Sequence, residues 1–272
     1  MGQHFLYDLS LLRSLVESTG IHKTDAALEI GTGSGMLTAC LSDAANRVIT
    51  VDADESIIRY AKASLSAKPN VTYVTGDIRR LNLEKLCEPL GESFYVIANI
   101  PYNITTPILN LLWTSALPIQ QISVMVQKEV ADKLLAIPST ENYGLLSVSC
   151  QYYCETRLDR IVPAAAFTPP PKVNSAFIHM IRRKEPPAPV QNELLLFRLL
   201  KAGFGLRRKT LSNAIKGALP LTGEEIHRIL TTLGLSPTIR GEALSVAEWI
   251  GFANACHQAV SRKTSGVSRV SL

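Results

Sequence analysis

Apolar residues in the first half of this 272-residue chain fall in short continuous runs, separated by stretches with helical spacing. That alternation is the pattern of buried parallel strands joined by helices. Ala26–Ile30, Val48–Val51, Val71–Val74 and Phe94–Ala98 predict four successive strands. Asp8 ahead of Leu9, Leu12, Leu15 and Val16 predicts a capped N-terminal helix with an apolar stripe. Ile122–Val126 predicts a further strand, followed by a helix from Gln127 to Ala136, and Ser175–Ile181 a closing strand in an antiparallel hairpin with Thr156–Ile161. Glu185-Pro186-Pro187-Ala188-Pro189 reads as a stiff linker. Helical spacing at 192–203, 207–218, 223–233 and 244–259, punctuated by Pro237 and Gly241, then predicts a small all-α domain. The predicted division is an α/β domain over 1–184, a linker over 185–190, a helical domain over 191–260 and a disordered tail over 261–272.

Candidate chemistry sits at the C-terminal ends of the predicted strands, where open α/β sheets bind ligands. Gly31-Thr32-Gly33-Ser34-Gly35 links the first run to a helix beginning near Met36, an arrangement that lets backbone approach a ligand. The spacing is Gly-x-Gly-x-Gly, and Glu29 before it suits a cofactor carrying an ammonium or sulfonium better than a pyrophosphate. Asp52 ends the second run, the expected place for a carboxylate that binds ribose hydroxyls. Asp77 follows the third, placed to accept from an adenine amino group while Ile78 packs on the ring. Asn99-Ile100-Pro101-Tyr102 ends the fourth. Pro101 restricts the backbone direction at Ile100, Asn99 adds a side-chain carbonyl, and Tyr102 offers a ring face. Two acceptors and a stacking surface can hold the exocyclic amine of a planar base. Each feature alone also fits a plainer role: Asp52 as a cap for the next helix, Asp77 as a turn residue, the tetrad as an ordinary proline turn. Four such features in order, at four consecutive strand ends, favour a nucleoside-cofactor site.

Charge changes the picture further. Up to Asp159 there are 12 Lys and Arg against 17 Asp and Glu; from Arg160 onward there are 16 against 6. Residues 194–223 hold Arg198, Lys201, Arg207, Arg208, Lys209 and Lys216 and no acid. A basic half joined to an acidic catalytic half predicts a phosphate-binding surface for nucleic acid. The five cysteines, scattered and odd in number, read as reduced thiols of a cytoplasmic protein. Cys150 and Cys154 lack a second ligand pair, so no metal site is expected, and no apolar run reaches membrane-spanning length.

These stretches resemble the small-subunit ribosomal RNA adenine dimethyltransferases. The resemblance is carried by Gly2-Gln3-His4-Phe5-Leu6, Leu28–Gly35, Gly76-Asp77, Asn99–Pro107, Val162-Pro163 through Phe167–Ser175, and Arg207–Leu211. It implies a Rossmann-like S-adenosylmethionine-dependent methyltransferase domain with a small C-terminal all-α domain. It implies N6,N6-dimethylation of two adjacent adenosines in the 3′-terminal hairpin of small-subunit rRNA, on the immature small subunit; the sequence itself leaves the oligomeric state open, with a monomer as the default expectation. It also implies cofactor contacts at His4, Leu6, Gly31, Asp52, Asp77 and Asn99, with Gly33 in the same turn, and target-base contacts at Asn99, Tyr102 and Phe167. Phe167 also fits a core position. Two departures stand out: only Met1 precedes Gly2 where the family carries a basic stretch, and Thr32 and Ser34 replace its common Pro and Leu. A related large-subunit rRNA methyltransferase, a DNA adenine methyltransferase and a non-catalytic assembly factor remain alternatives at this point.

Overall fold

The computed structural model describes residues 4–267, with side chains to Thr264. Nine strands are described: β1 Phe5–Leu6, β2 Ala26–Ile30, β3 Arg47–Asp52, β4 Val71–Thr75, β5 Phe94–Asn99, β6 Ile119–Gln127, β7 Cys154–Val162, β8 Phe167–Thr168 and β9 Ser175–Arg182. The helices are α1 Leu9–Ser18, α2 Met36–Ala44, α3 Glu55–Ser64, α4 Leu83–Cys87, α5 Thr105–Thr114, α6 Lys128–Leu134, α7 Leu145–Tyr153, α8 Glu193–Gly205, α9 Leu211–Ala214, α10 Gly223–Thr232 and α11 Val246–Val267.

Seven strands form one sheet in the order β4-β3-β2-β5-β6-β9-β7. β2 to β6 pair in parallel, and β9 runs antiparallel between β6 and β7. The expected hairpin of the last two strands is therefore present, with β9 as its inner member. The order reverses between β2 and β5, so the chain crosses to opposite sides there and opens a crevice at the strand ends. β2 and β5 are almost wholly buried because helices cover both faces, which is why they read as unbroken apolar runs. The Asp8 carboxylate accepts from the Ser10 and Leu11 amides and starts α1 as expected. α1 buries Leu12, Leu15 and Val16, while Leu9 stays outside the stripe.

The chain divides into two compact units. One comprises Met1–Asp132 with Cys154–Arg182; the other comprises Lys133–Tyr153 with Arg183–Leu272. The division expected at residue 184 falls at Arg182/Arg183, and one assignment is corrected: residues 133–153, read as part of the α/β domain, belong to the helical unit. The reason is apolar matching. Tyr143, Val148 and Tyr152 share a buried cluster with Leu196, Leu200, Trp249 and Phe252. Arg207 reinforces the join, donating to Glu242 at 2.5 Å and to the carbonyl of Glu141 at 2.6 Å. At the centre of this unit Trp249 is fully buried and donates to the Gly241 carbonyl at 3.1 Å. Added Cβ atoms at Gly203 and Gly241 would lie 2.5 and 2.8 Å from its ring, so both positions require glycine for close approach.

Two helical expectations change. The run at 207–218 yields only α9, because Arg207, Arg208 and Lys209 lie in the turn that precedes it. The tail expected from 261 instead continues α11 to Val267; Lys263 fastens it by donating to Glu225 at 2.7 Å and to the Pro220 carbonyl at 3.2 Å. Residues 268–272 lie outside the described residues. All five cysteines are buried and unbridged. No described helix is long and apolar enough to cross a membrane.

Candidate active site

The first crevice is lined by His4, Phe5, Gly31, Gly33, Asp52, Asn99, Ile100, Pro101 and Tyr102. An adjoining one runs past Asp77, Ile78, Arg79, Ile104 and Ile108 and shares Gly31, Asp52 and Pro101 with the first. His4, Gly31, Gly33, Asp52, Asn99 and Tyr102, all expected from the sequence, thus surround one opening, with Asp77 beside it. Gly2 and Gln3 lie outside the described residues.

The glycine turn is built by backbone geometry. Gly31, Gly33 and Gly35 have φ of +88°, +54° and +79°, a region that side chains disfavour. A Cβ on Gly31 would come within 3.2 Å of the Asn99 carbonyl, and one on Gly33 within 3.3 Å of the Phe5 ring. Asp52 ties the turn to β3: its carboxylate accepts from the Gly33 amide at 3.3 Å and from the Asp54 amide at 3.0 Å. The cap expected of Asp52 belongs to Asp54 instead, which accepts from Ser56 at the start of α3.

Asn99 is half-buried at the end of β5. Its Nδ2 donates to the His4 carbonyl at 3.1 Å, which fixes the amide orientation and leaves Oδ1 without a partner among the described residues. His4 donates from Nδ1 to the Pro169 carbonyl at 2.7 Å and stacks on Tyr102, with ring centroids 5.7 Å apart. The Tyr102 hydroxyl is bonded to the Ser175 hydroxyl at 2.5 Å. Burial pushes the Tyr102 phenol upward against that bond, so it stays neutral. At one rim, then, the chain sets an amide acceptor, a tyrosine ring and an imidazole in fixed positions.

Three expectations are corrected. Phe167, expected at the target base, is a core residue instead. It forms β8 with Thr168, pairs opposite Leu6 of β1, and is 2% exposed in a core cluster with Leu12, Leu15 and Phe177. Leu6 is likewise buried, because period-two alternation in β1 turns Phe5, not Leu6, toward the crevice. Glu29 does not face a ligand. It is fully buried behind the glycine turn, accepting from the Thr38 hydroxyl at 2.5 Å, with Oε1 unpartnered. Burial pushes its carboxyl up to about 8. Asp77 lines its crevice but is already held by Arg79, through Nε at 2.9 Å and Nη2 at 2.6 Å, and these bonds pull its carboxyl down to about 2.

Phe5, Arg79, Ile104 and Ile108 were missed as lining residues. Phe5 was available from strand alternation next to His4. The two isoleucines follow the tetrad at helical spacing, and Arg79 follows Asp77 at a distance only a turn can close.

In the helical unit Arg198, Lys201, Arg208, Lys209 and Lys216 are exposed and make no ion pair among the described residues. Arg207, from the same run, is spent on the Glu242 contact.

Comparison with known proteins bears on this arrangement. The family model described as ribosomal RNA adenine dimethylase matches residues 1–256. The chain is 39% identical over 264 residues to the ribosomal RNA small subunit methyltransferase A of Geobacillus thermodenitrificans, covering 94% of this chain and 89% of that one. It is 40% identical over 260 residues to the protein of that name from Streptococcus pneumoniae, covering 93% and 90%. Among solved structures, a dimethyladenosine transferase from Plasmodium falciparum superposes with a TM-score of 0.77 at 24% identity, covering 92% of this chain and 96% of that one. The 23S rRNA methyltransferase ErmE gives 0.71 at 23% identity, covering 93% and 100%. These two likenesses show the fold. With a family model spanning nearly the whole chain and relatives near 40% identity along its length, this chain belongs to the ribosomal RNA adenine dimethylase family.

Proposed function

We propose that this chain is an S-adenosylmethionine-dependent rRNA adenine N6-dimethyltransferase, acting in the cytoplasm as a monomer on the immature small ribosomal subunit. Its target is two adjacent adenosines of the 3′-terminal hairpin of small-subunit rRNA. The observation that carries the reading is Asn99 Oδ1, without a partner among the described residues and held at the crevice rim beside Tyr102.

The residues present fit the cofactor. Backbone at Gly31 and Gly33 approaches so closely that a Cβ would fill the space, and Asp52 stands beside it to accept from ribose hydroxyls. Ile78, Ile104 and Ile108 supply an apolar wall for a flat ring, with the Asp77–Arg79 pair at its edge. When bound, S-adenosylmethionine supplies an electrophilic methyl group.

The chain's own residues prepare the nucleophile. An adenine amino nitrogen is weak because its lone pair is delocalised into the ring. Asn99 Oδ1, accepting one amino proton, and the Ile100 carbonyl, accepting the other, favour a pyramidal nitrogen with a freer lone pair. Orientation then supplies much of the rate. No strong base is needed before attack, since the nitrogen becomes acidic only as it gains the methyl; its proton leaves to water. A neutral amide serves here without the cost of desolvating a full charge. Leaving the stack costs the target base a few kcal/mol, and stacking on Tyr102 returns about 1–3 kcal/mol. Exposed cations of the helical unit, Arg198, Lys201, Arg208, Lys209 and Lys216 among them, supply phosphate contacts.

The test is mass spectrometry of small- and large-subunit rRNA from cells with and without this protein. Dimethyladenosine lost from the small-subunit RNA alone supports the reading; an unchanged small-subunit RNA refutes it.

A further inference from the structure

We propose that a depression on the far side of Phe5 is a stacking subsite for the nucleotide flanking the target adenosine. The inference rests on the function proposed above and deepens it. The depression encloses about 530 Å³ and is lined by Phe5, Tyr7, Ser34, Met36, Ile57 and Tyr60 among others. That volume is within the range of small-ligand sites.

Three observations identify the occupant. First, Tyr7 and Tyr60 are 52% and 64% exposed, and Ile57 and Met36 sit beside them. Exposed tyrosines grouped in a concave surface, with no charged side chain among its described lining residues, suit the faces of nucleobases, which stack on aromatic rings whatever their sequence. Second, the depression is continuous with the candidate active site: Phe5 and Gly33 line both. The Phe5 and Tyr7 rings lie 6.3 Å apart at 48°, so ring surface runs from the crevice rim outward. A strand whose target base enters beside Tyr102 would pass Phe5, the wall that the crevice shares with the depression of Tyr7 and Tyr60. Third, α2, whose first residue Met36 borders the depression, begins after Gly35, which gives the helix no side-chain cap. Aromatic faces beside a helix start without a side-chain cap, opening onto the adenine crevice, are complementary to a nucleotide of single-stranded RNA.

Tyr7 and Tyr60 line the depression and neither of the two crevices assigned to the cofactor and target base, so their loss acts on the RNA and not on the cofactor. The test uses the full chain with small ribosomal subunits purified from cells lacking this protein. Methyl transfer is measured against subunit concentration, and S-adenosylmethionine affinity by calorimetry. For the Tyr7→Ala/Tyr60→Ala double variant, KM for the subunits rises about tenfold or more, with cofactor affinity and kcat within about twofold. The Tyr7→Phe/Tyr60→Phe pair restores the lost affinity, because the ring and not the hydroxyl makes the contact. An unchanged KM in the alanine pair, an equal loss in the phenylalanine pair, or a parallel loss of cofactor binding overturns the subsite while the wild-type activity upholds the function. Absence of wild-type transfer to these subunits overturns both.

Discussion

Replacing Glu29 by glutamine turns a buried proton into a measurement. Desolvation, which is only partly offset by the bond from Thr38, raises this carboxyl from 4.5 to about 8. In the unfolded chain it titrates near its ordinary value, so between the two values unfolding releases a proton. The favourable contribution of the neutral acid is complete below the unfolded value and is lost as pH rises toward the folded one. At about 1.4 kcal/mol per pH unit, the loss is roughly 3 kcal/mol at pH 7 and approaches roughly 5 kcal/mol above pH 8. Glutamine has the same shape, keeps an acceptor for Thr38 and has no proton to release. Its buried amide carries a fixed cost of about 1–3 kcal/mol, independent of pH. The stability difference between wild type and Glu29→Gln should therefore swing by about 4 kcal/mol toward the variant between pH 5 and pH 8. In a chain of this size that is a relative Tm change on the order of 10 °C. Thermal unfolding of both proteins, followed by circular dichroism at pH 5, 6, 7 and 8, measures it. Two curves separated by a constant interval across that range would show that Glu29 is charged in the folded protein and refute the reasoning.

Other substitutions separate chemistry from architecture. Asn99→Ala should cut turnover at least a hundredfold while S-adenosylmethionine affinity, measured by calorimetry, changes by less than about threefold, since positioning of the acceptor dominates the rate. Phe167→Ala should destabilise the α/β unit by about 3–5 kcal/mol in urea unfolding, because a 2% exposed ring leaves a cavity. Gly203→Ala should destabilise the helical unit by about 1–3 kcal/mol, since its new methyl meets the Trp249 ring at 2.5 Å; tryptophan fluorescence reports the loss. Lys209→Ala should weaken RNA binding and lower its salt dependence by about one counterion, whereas Arg207→Ala should chiefly lower Tm.

What the sequence made legible is what local chemistry encodes. The glycine turn, Asp52 and the tetrad at Asn99 each lie where one strand ends, and their roles depend on backbone reach over a few residues. Long-range pairing left no such trace. β1 and β8 are two residues each, too short for any periodicity, so the burial of Leu6 and Phe167 follows only once the two meet. Glu29 looked ligand-facing because its place before the turn is legible and its side-chain direction is not. His179 shows the same limit: it is fully buried on β9, bonded to Ser123 at 2.8 Å, with burial pushing it down to about 4. Its partner lies on a neighbouring strand fifty-six positions away. The allegiance of residues 133–153 was hidden for a related reason, since an apolar helix face does not name the surface it will cover.

The shared membership of residues 133–153 and 183 onward in one unit has a consequence for synthesis. During translation Tyr143, Val148 and Tyr152 emerge well before Leu196, Trp249 and Phe252 exist to shelter them. For an interval on the order of seconds this segment is a sticky, orphaned surface on a nascent chain. Cutting the gene at the proline-rich joint would make that exposure permanent and yield an aggregating product. A soluble methyl-transfer half would instead require excising 133–153 and bridging Asp132 to Cys154.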